Sequence, residues 1–359
     1  MSRYDLSRAR VAEILGDGPR YRVDQLWEGL YRHLAEPDEI TALPRELRDR
    51  LAAEPEIAPA LRVDRPVTAD GGLTEKWLST LADGALIETV LMHHPRHSTV
   101  CVSSQAGCAM ACTFCATGQA GFGRQLAVGE IVEQVVVAAR GARATGRRLD
   151  NVVFMGMGEP LANYASVLEA TRRIVGEIGI GARHVTISTV GVVPGIRRLA
   201  SEPLQVNLAV SLHGANDVLR SSLVPLGRRY PLAQLVSACE AYVEATHRRI
   251  SFEWALIAGI NDRASDASEL AAIARPLHAH VNIIPLNPTP GYPAIGTAPA
   301  GVRAFRDRLT SHGVNATVRQ TKGRAIDAAC GQLAAAPPVM LAPTPGAPAP
   351  LAAGPEVSA

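Results

Sequence analysis

Four of the six cysteines of this 359-residue chain lie within fifteen residues of one another. Three of them, Cys108, Cys112 and Cys115, have the spacing C-x3-C-x2-C, which places three thiolates around one small inorganic centre. Thiolate-rich sites select zinc or an iron–sulfur cluster. A structural zinc ion takes four protein ligands, whereas a [4Fe–4S] cluster held by three cysteines leaves one iron open. The spacing therefore favours the cluster, with a zinc knuckle or a buried group of cysteines as the alternative.

The composition is that of a protein with a large core, because 47% of the residues are hydrophobic. No apolar run reaches the roughly 18–20 residues of a membrane span, and the N-terminal residues lack the apolar stretch of a secretion signal. We therefore expect a cytoplasmic protein with no membrane partner. In that compartment, closely spaced cysteines bind metals or act in catalysis more often than they form structural disulfides.

The residue patterns divide the chain into four segments. Residues 1–65 predict a small helical accessory domain, with one helix from Val23 to Tyr31 and a second capped by Thr41. This domain is equally suited to binding RNA and to packing on the rest of the fold. Residues 66–98 predict a β-hairpin connector with its turn at Asp83-Gly84. Residues 99–334 form the main domain, and the Ala/Pro-rich tail at 335–359 is predicted to be disordered.

A regular alternation of strand and helix patterns begins at residue 99. Strands are predicted at residues 99–103, 151–155, 184–188, 205–212, 250–256, 280–285 and 315–319. Helices are predicted near residues 127–143, 163–178, 194–201, 230–247, 265–277 and 299–312. Right-handed crossovers between such strands give a parallel sheet that curls towards a barrel. The predicted fold class is therefore α/β, a partial (β/α)6 barrel with its active site at the C-terminal ends of the strands.

Polar motifs follow several of the predicted strands. Their members are Gly158 and Glu159 after the second strand, Ser188 at the end of the third, Ser211, Leu212 and His213 at the fourth, and Asn287 after the sixth. Glycine admits a ligand close to the backbone, a carboxylate accepts from an ammonium group, and serine or asparagine binds a ribose or a carboxylate. Each motif alone is common in loops. Together they predict a binding site for a polar nucleoside with an amino-acid tail.

Three cysteines and one glutamate lie outside these motifs. Cys239 lies on an amphipathic helix, and we interpret it as a buried apolar residue. Cys101 lies on the first strand of the barrel, and Cys330 lies in a loop of small residues that leaves its sulfur accessible. Glu88 lies in an apolar strand of the hairpin. A carboxylate in such a strand usually faces solvent, and the pattern alone predicts that orientation.

The cysteine loop resembles that of the radical S-adenosylmethionine (SAM) enzymes, whose pattern is C-x3-C-x-aromatic-C, with Phe114 as the aromatic residue. The segments at residues 101–108, 156–161, 211–213 and 326–333 are similar to the RlmN family of radical SAM RNA methyltransferases. This likeness runs from about residue 21 to residue 333. The segment around Cys330 is its most specific part, because most radical SAM enzymes lack it.

The resemblance implies a reaction at C2 of an adenine, a carbon with no nucleophilic character. Cys108, Cys112 and Cys115 are implied to hold one [4Fe–4S] cluster whose open iron binds SAM. Two SAM molecules are used per turnover, and the first methylates Cys330. The second is cleaved reductively to a radical that takes hydrogen from this methyl group, and the resulting methylene radical adds to C2.

The resemblance also assigns the release of the RNA. Glu88 removes the C2 proton, and Cys101 attacks the sulfur of Cys330, which leaves a disulfide that is reduced in each cycle. The strand-end residues named above are predicted to bind SAM. The implied substrate is adenine 2503 of 23S rRNA, with transfer RNA as a further substrate in some members, and the base must be unstacked to react. A flavodoxin or ferredoxin is implied as the electron donor, and a monomer is expected.

Two other functions remain open from the sequence. A close sister family shares both additional cysteines and methylates C8 of the same adenine, and nucleoside mass spectrometry distinguishes the two products. The other alternative is a non-catalytic RNA-binding module containing zinc. Anaerobic purification distinguishes it, because a cluster protein is brown and contains iron and sulfide, whereas a zinc protein is colourless.

Overall fold

A parallel sheet forms the centre of the molecule. The computed structural model describes residues 2–334, and the strands within them are β1 (Leu61–Val63), β2 (Val67–Ala69), β3 (Thr74–Leu81), β4 (Leu86–His93), β5 (Ser98–Cys101), β6 (Gln105–Gly107), β7 (Phe122–Gln125), β8 (Leu149–Phe154), β9 (Val185–Thr189), β10 (Asn207–Ser211), β11 (Ser251–Leu256), β12 (His280–Pro285) and β13 (Asn315–Val318). Strands β5 and β8 to β13 are parallel and neighbour one another in chain order. This order confirms the predicted α/β class and open barrel.

Helices fill the crossovers between the parallel strands, and three further helices precede the sheet. The α-helices in the described part of the chain are α1 (Arg8–Leu15), α2 (Tyr21–Glu28), α3 (Arg45–Ala52), α4 (Ala116–Ala120), α5 (Val128–Ala144), α6 (Tyr164–Arg173), α7 (Val193–Ala200), α8 (Asp217–Leu223), α9 (Leu232–Thr246), α10 (Ala264–Ala274) and α11 (Pro299–Ser311). The predicted helices correspond to α5, α6, α7, α9, α10 and α11. Cys239 of α9 is fully buried, as interpreted from the sequence.

The prediction that Thr41 caps the second N-terminal helix is wrong. Helix α3 begins at Arg45, and its N-cap position is occupied by Pro44 with a ψ of 146°. A residue that precedes proline is disfavoured in the helical conformation, so Leu43 cannot continue a helix started at Thr41. The leucine spacing that suggested the helix is nevertheless correct, because Leu47 and Leu51 are buried.

The predicted hairpin is formed by β3 and β4, and β4 pairs antiparallel with β5 so that the hairpin extends the barrel sheet. The predicted solvent-facing orientation of Glu88 is wrong, because this residue is only 5% exposed. Both faces of β4 are covered. Thr89 donates to Gln134 of α5 on one face, and Glu88 accepts from the backbone of Ala334 on the other.

A small second sheet, β6 and β7, lies on either side of the cysteine loop and was not predicted. The strands meet where Cys108 N donates to Gly121 O at 2.7 Å. Gly107 has a φ of +78°, and a Cβ atom there would lie 2.1 Å from Gly121 O. Glycine at position 107 is therefore what allows the two strands to approach at the start of the loop.

The N-terminal segment packs on the barrel. Arg3 Nη2 donates to Glu133 Oε1 of α5 at 2.6 Å, and both side chains are buried. Buried apolar residues of the helical segment and of the barrel form one continuous cluster. Among residues 2–334, no helix is long and apolar enough to cross a membrane. The tail predicted to be disordered, at residues 335–359, lies outside the described residues.

Candidate active site

One cavity opens at the C-terminal ends of the parallel strands, where the predicted fold places an active site. Its lining includes nearly all of the polar residues singled out in the sequence, namely Cys108, Cys112, Cys115, Gly158, Glu159, Ser188, Ser211, His213, Asn287 and Cys330. Leu212 does not line it, because its side chain is fully buried in the apolar core. Cys101 and Glu88 are buried and are not part of this lining.

The three cysteine thiols face the cavity, and their surroundings fit a cluster. Burial raises the pKa of Cys108 to about 12 and also raises the pKa values of Cys112 and Cys115. Buried thiols of this kind become stable thiolates when metal cations bind. No group of three His, Cys, Asp or Glu residues within 2–334 is arranged to hold a single metal ion. The three thiols that line the cavity are the donor type that a [4Fe–4S] cluster takes.

His213 is held against the aromatic residue of the cysteine loop. Its ring lies 4.7 Å from that of Phe114 in an edge-to-face arrangement at 75°. The Nδ1 atom accepts from Ala255 N at 2.9 Å, so the proton of the neutral ring is on Nε2. Burial lowers the pKa of His213 to about 3. The residue is thus a neutral donor at the cavity wall.

Glu159 joins the ends of two neighbouring strands. Its Oε1 accepts from Leu161 N at 2.9 Å and its Oε2 from Val190 N at 2.8 Å. Burial raises its pKa to about 7 even though these backbone donors oppose the shift. Each carboxylate oxygen retains a lone pair, so Glu159 can still accept from a cation in the cavity.

Gln105 of β6 fixes the motif that contains Glu159. Its Oε1 accepts from Glu159 N at 2.8 Å, and its Nε2 donates to Gln125 Oε1 at 2.9 Å. Gly158 has a φ of +101°, and a Cβ atom there would lie 2.5 Å from Gln105 Cβ. Sequence reasoning missed Gln105, although it stands three residues before Cys108 in the segment that carries the family resemblance.

The segment that carries Cys330 is anchored by hydrogen bonds at three consecutive residues. Asn287 Nδ2 donates to Cys330 O at 3.0 Å, and Ala116 N donates to Gly331 O at 2.8 Å. Gln332 Nε2 donates to Pro288 O at 3.0 Å. Asn287, predicted to bind SAM, thus lines the cavity and also holds the backbone of Cys330. The anchors place this loop of small residues directly beside the cysteine loop.

Cys101 and Cys330 both interact with Arg319, a half-buried arginine that sequence reasoning missed. The Arg319 side chain lines the cavity, and the nearby Cys330 sulfur is the largest of the interactions that raise its pKa. Burial raises the pKa of Cys101 to about 12, while Arg319 opposes the shift. All six cysteines are free in the described residues, so the disulfide implied by the resemblance is not formed in this structure. The signal that could have identified Arg319 in the sequence was its position at the end of the last predicted strand.

Glu88 is paired with Lys76 and with the Cys330 segment. Lys76 Nζ lies 2.8 Å from Glu88 Oε1, and Ala334 N donates to Glu88 Oε2 at 2.8 Å. Lys76 Nζ also donates to Asp327 O at 3.3 Å. One signal for this pair was visible in the sequence, because Lys76 and Lys322 are the only lysines of the chain.

Comparison with known proteins identifies the family. The radical SAM superfamily profile matches residues 102–271. The dual-specificity RNA methyltransferase RlmN 1 of Myxococcus xanthus is 50% identical over 338 residues, which cover 92% of this chain and 94% of that protein. A probable dual-specificity RNA methyltransferase RlmN of Chloroflexus aurantiacus is 47% identical, with 92% of each chain covered.

The fold agrees with these matches. The crystal structure of a radical SAM methyltransferase from Sphaerobacter thermophilus superposes with a TM-score of 0.90 at 50% identity, covering 94% of this chain and 100% of that chain. Because the identity extends over almost the whole chain and the folds agree, this protein belongs to the RlmN family of radical SAM methyltransferases.

Proposed function

We infer that the protein is a SAM-dependent RNA methyltransferase that adds a methyl group to C2 of an adenine in 23S rRNA and in transfer RNA. The observation that carries this inference is the convergence of the three-thiol loop and Cys330 on one cavity. Relatives of this length and identity are named dual-specificity RNA methyltransferases, which supports RNA as the substrate. A methyltransferase acting on a nucleophilic atom would have no use for a reactive cysteine beside its SAM site.

The cavity residues divide into two binding sets. Cys108, Cys112 and Cys115 would hold a [4Fe–4S] cluster, and the strand-end residues would hold SAM. When bound, the cluster would supply the electron for the reductive cleavage of SAM and would accept one electron from the RNA adduct, with a flavodoxin or ferredoxin as the external donor. The neutral His213 donates from Nε2 and Glu159 accepts from the SAM ammonium, so the pocket orients both polar ends of the ligand.

Cys330 carries the methyl group. Its thiol loses a proton and the sulfur attacks the methyl carbon of the first SAM, with S-adenosylhomocysteine leaving. The guanidinium of Arg319, which lines the same cavity, stabilises the thiolate in this step. One hydrogen atom of the methyl group is then removed by the radical derived from the second SAM. The remaining methylene forms a carbon–carbon bond with C2 of the unstacked adenine.

Release of the RNA uses Glu88 and Cys101. After the adduct has lost one electron, the Glu88 carboxylate accepts the C2 proton. The thiolate of Cys101 attacks the sulfur of Cys330, and the bond between that sulfur and the methylene breaks with its electron pair going to carbon. The carbon takes up a proton to become the methyl group. The two cysteines are left as a disulfide, which a dithiol reductant returns to thiols.

The test is an anaerobic turnover assay. Protein reconstituted with iron and sulfide is incubated with SAM, a reductant and a fragment of 23S rRNA or a transfer RNA, and the RNA is digested for nucleoside mass spectrometry. We expect 2-methyladenosine, and 8-methyladenosine would assign the chain to the C8 reaction instead. Cys101→Ala should accumulate protein joined covalently to RNA, and Cys330→Ala should form no adduct. Normal turnover by Cys101→Ala would refute the role of that cysteine.

A further inference from the structure

Lys76 connects the proposed base to the segment that carries the methyl group. In the antiparallel pair of β3 and β4, Lys76 lies opposite Val90 and Glu88 lies opposite Leu78. Lys76 and Glu88 are therefore diagonal neighbours on the same face of the sheet, where long side chains meet. The ammonium lies 2.8 Å from Glu88 Oε1. The register of two strands thus fixes the pair independently of any ligand.

The pair is enclosed rather than exposed. The side chains of Lys76 and Glu88 are 14% and 7% exposed. An ion pair removed from water interacts more strongly than one at the surface, and it is screened little by salt. The ammonium therefore holds the Glu88 carboxylate in place within the wall of the sheet.

Both members of the pair hold the Cys330 segment, at points on either side of the cysteine. Lys76 Nζ donates to Asp327 O at 3.3 Å, three residues before Cys330. Glu88 Oε2 accepts from Ala334 N at 2.8 Å, four residues after Cys330. The segment is therefore hydrogen-bonded to the ion pair at two points, one before and one after Cys330. A methylene attached to Cys330 is presented to a base whose position is set by the same contacts.

We propose that Lys76 is a positioning residue for the release of the methylated RNA: through the ion pair it holds the Glu88 carboxylate at the Cys330 segment, so that the C2 proton can be removed. This proposal rests on the role of Glu88 in the proposed function. It makes Lys76 unnecessary for the methylation of Cys330 and for formation of the carbon–carbon bond. A lysine that only stabilised the fold would affect all of these steps together.

The experiment compares four variants at the pair with one matched control, and one of the four, Lys76→Arg, retains the positive charge. Lys76→Met removes the ammonium, Lys76→Gln removes the charge but retains a donor, and Glu88→Gln removes the base. The control is Lys322→Met, because Lys322 is the other lysine of the chain and donates to the backbone oxygen of His93. Intact-protein mass spectrometry measures methylation of Cys330, and denaturing gels measure the covalent protein–RNA adduct.

We expect Glu88→Gln to slow release about 100-fold and to accumulate the adduct, as for loss of a general base. Lys76→Met and Lys76→Gln should accumulate the adduct about tenfold above wild type, with Cys330 methylated as in wild type. Lys76→Arg should restore release because it restores the cation, and Lys322→Met should behave as wild type.

The outcomes distinguish the role of Glu88 from the role of Lys76. If Glu88→Gln accumulates no adduct, the proposed role of Glu88 is wrong. If Glu88→Gln accumulates the adduct while both neutral Lys76 variants release RNA normally, the role of Lys76 alone is wrong. Equal loss of Cys330 methylation and of release in the Lys76 variants would also overturn the proposal, because that result marks a structural role.

Discussion

Gly158→Ala tests the close contact that orders the SAM motif. A Cβ atom at this position would lie 2.5 Å from Cβ, 2.6 Å from Cγ and 2.8 Å from N of Gln105. Such an overlap in a packed site costs roughly 1–3 kcal/mol. The φ of +101° adds strain for any residue with a side chain, roughly 1–2 kcal/mol. We therefore expect the variant to lose about 2–5 kcal/mol of unfolding free energy.

The substitution should also weaken SAM binding, which backbone strain alone would not do. Gln105 Oε1 accepts from Glu159 N at 2.8 Å, so a displaced Gln105 moves the backbone that carries Glu159. We expect SAM to bind the cluster-loaded variant at least about tenfold more weakly, which corresponds to about 1.4 kcal/mol. Equilibrium dialysis with labelled SAM measures the affinity, and urea unfolding of the cluster-free protein measures the stability.

Gly146→Ala is the matched control. Gly146 has a φ of +69°, but a Cβ atom there would meet nothing within 4 Å. It should therefore lose only the strain, roughly 1–2 kcal/mol, and bind SAM as wild type does. If Gly158→Ala matches Gly146→Ala in SAM affinity and in unfolding free energy, then Gln105 moves aside without an energetic penalty, and the prediction from the close contact is refuted.

Three further predictions concern the same site. Cys112→Ala should lose the brown colour and the bound iron, measured as iron and sulfide per chain, and full iron content would contradict its role as a ligand. Asn287→Ala should free the backbone of Cys330, so that amide hydrogen exchange at residues 327–334 becomes faster while exchange in α9 is unchanged. Folding favours the protonated form of Glu159, because its pKa rises from 4.5 to about 7. The free energy of unfolding therefore falls by about 3 kcal/mol as the pH rises through this window. Urea unfolding at pH 5 and pH 8 should show a smaller fall in Glu159→Gln than in wild type.

The sequence alone determined the barrel and the identity of its chemical groups. Alternating strand and helix patterns after residue 99 predicted all seven parallel strands found between residues 2 and 334, with ends within two residues of those observed. Hydrophobic periodicity is a local property, and each crossover is short enough for the local pattern to define it. The C-x3-C-x2-C spacing identified the candidate ligands for the same reason, since all three lie in one loop.

Only the tertiary structure decided which groups these residues meet. Alternation along β4 predicted one buried and one exposed face, yet Glu88 is buried because Ala334, 246 residues away in the chain, covers it. Lys76 and Arg319 were missed because a single basic residue has no periodicity to mark it. Their roles depend on contacts with distant segments, and such contacts form only when the whole sheet has folded. Local pattern therefore specified the elements of this site, whereas the charges that act on its cysteines and its carboxylate were specified by long-range packing.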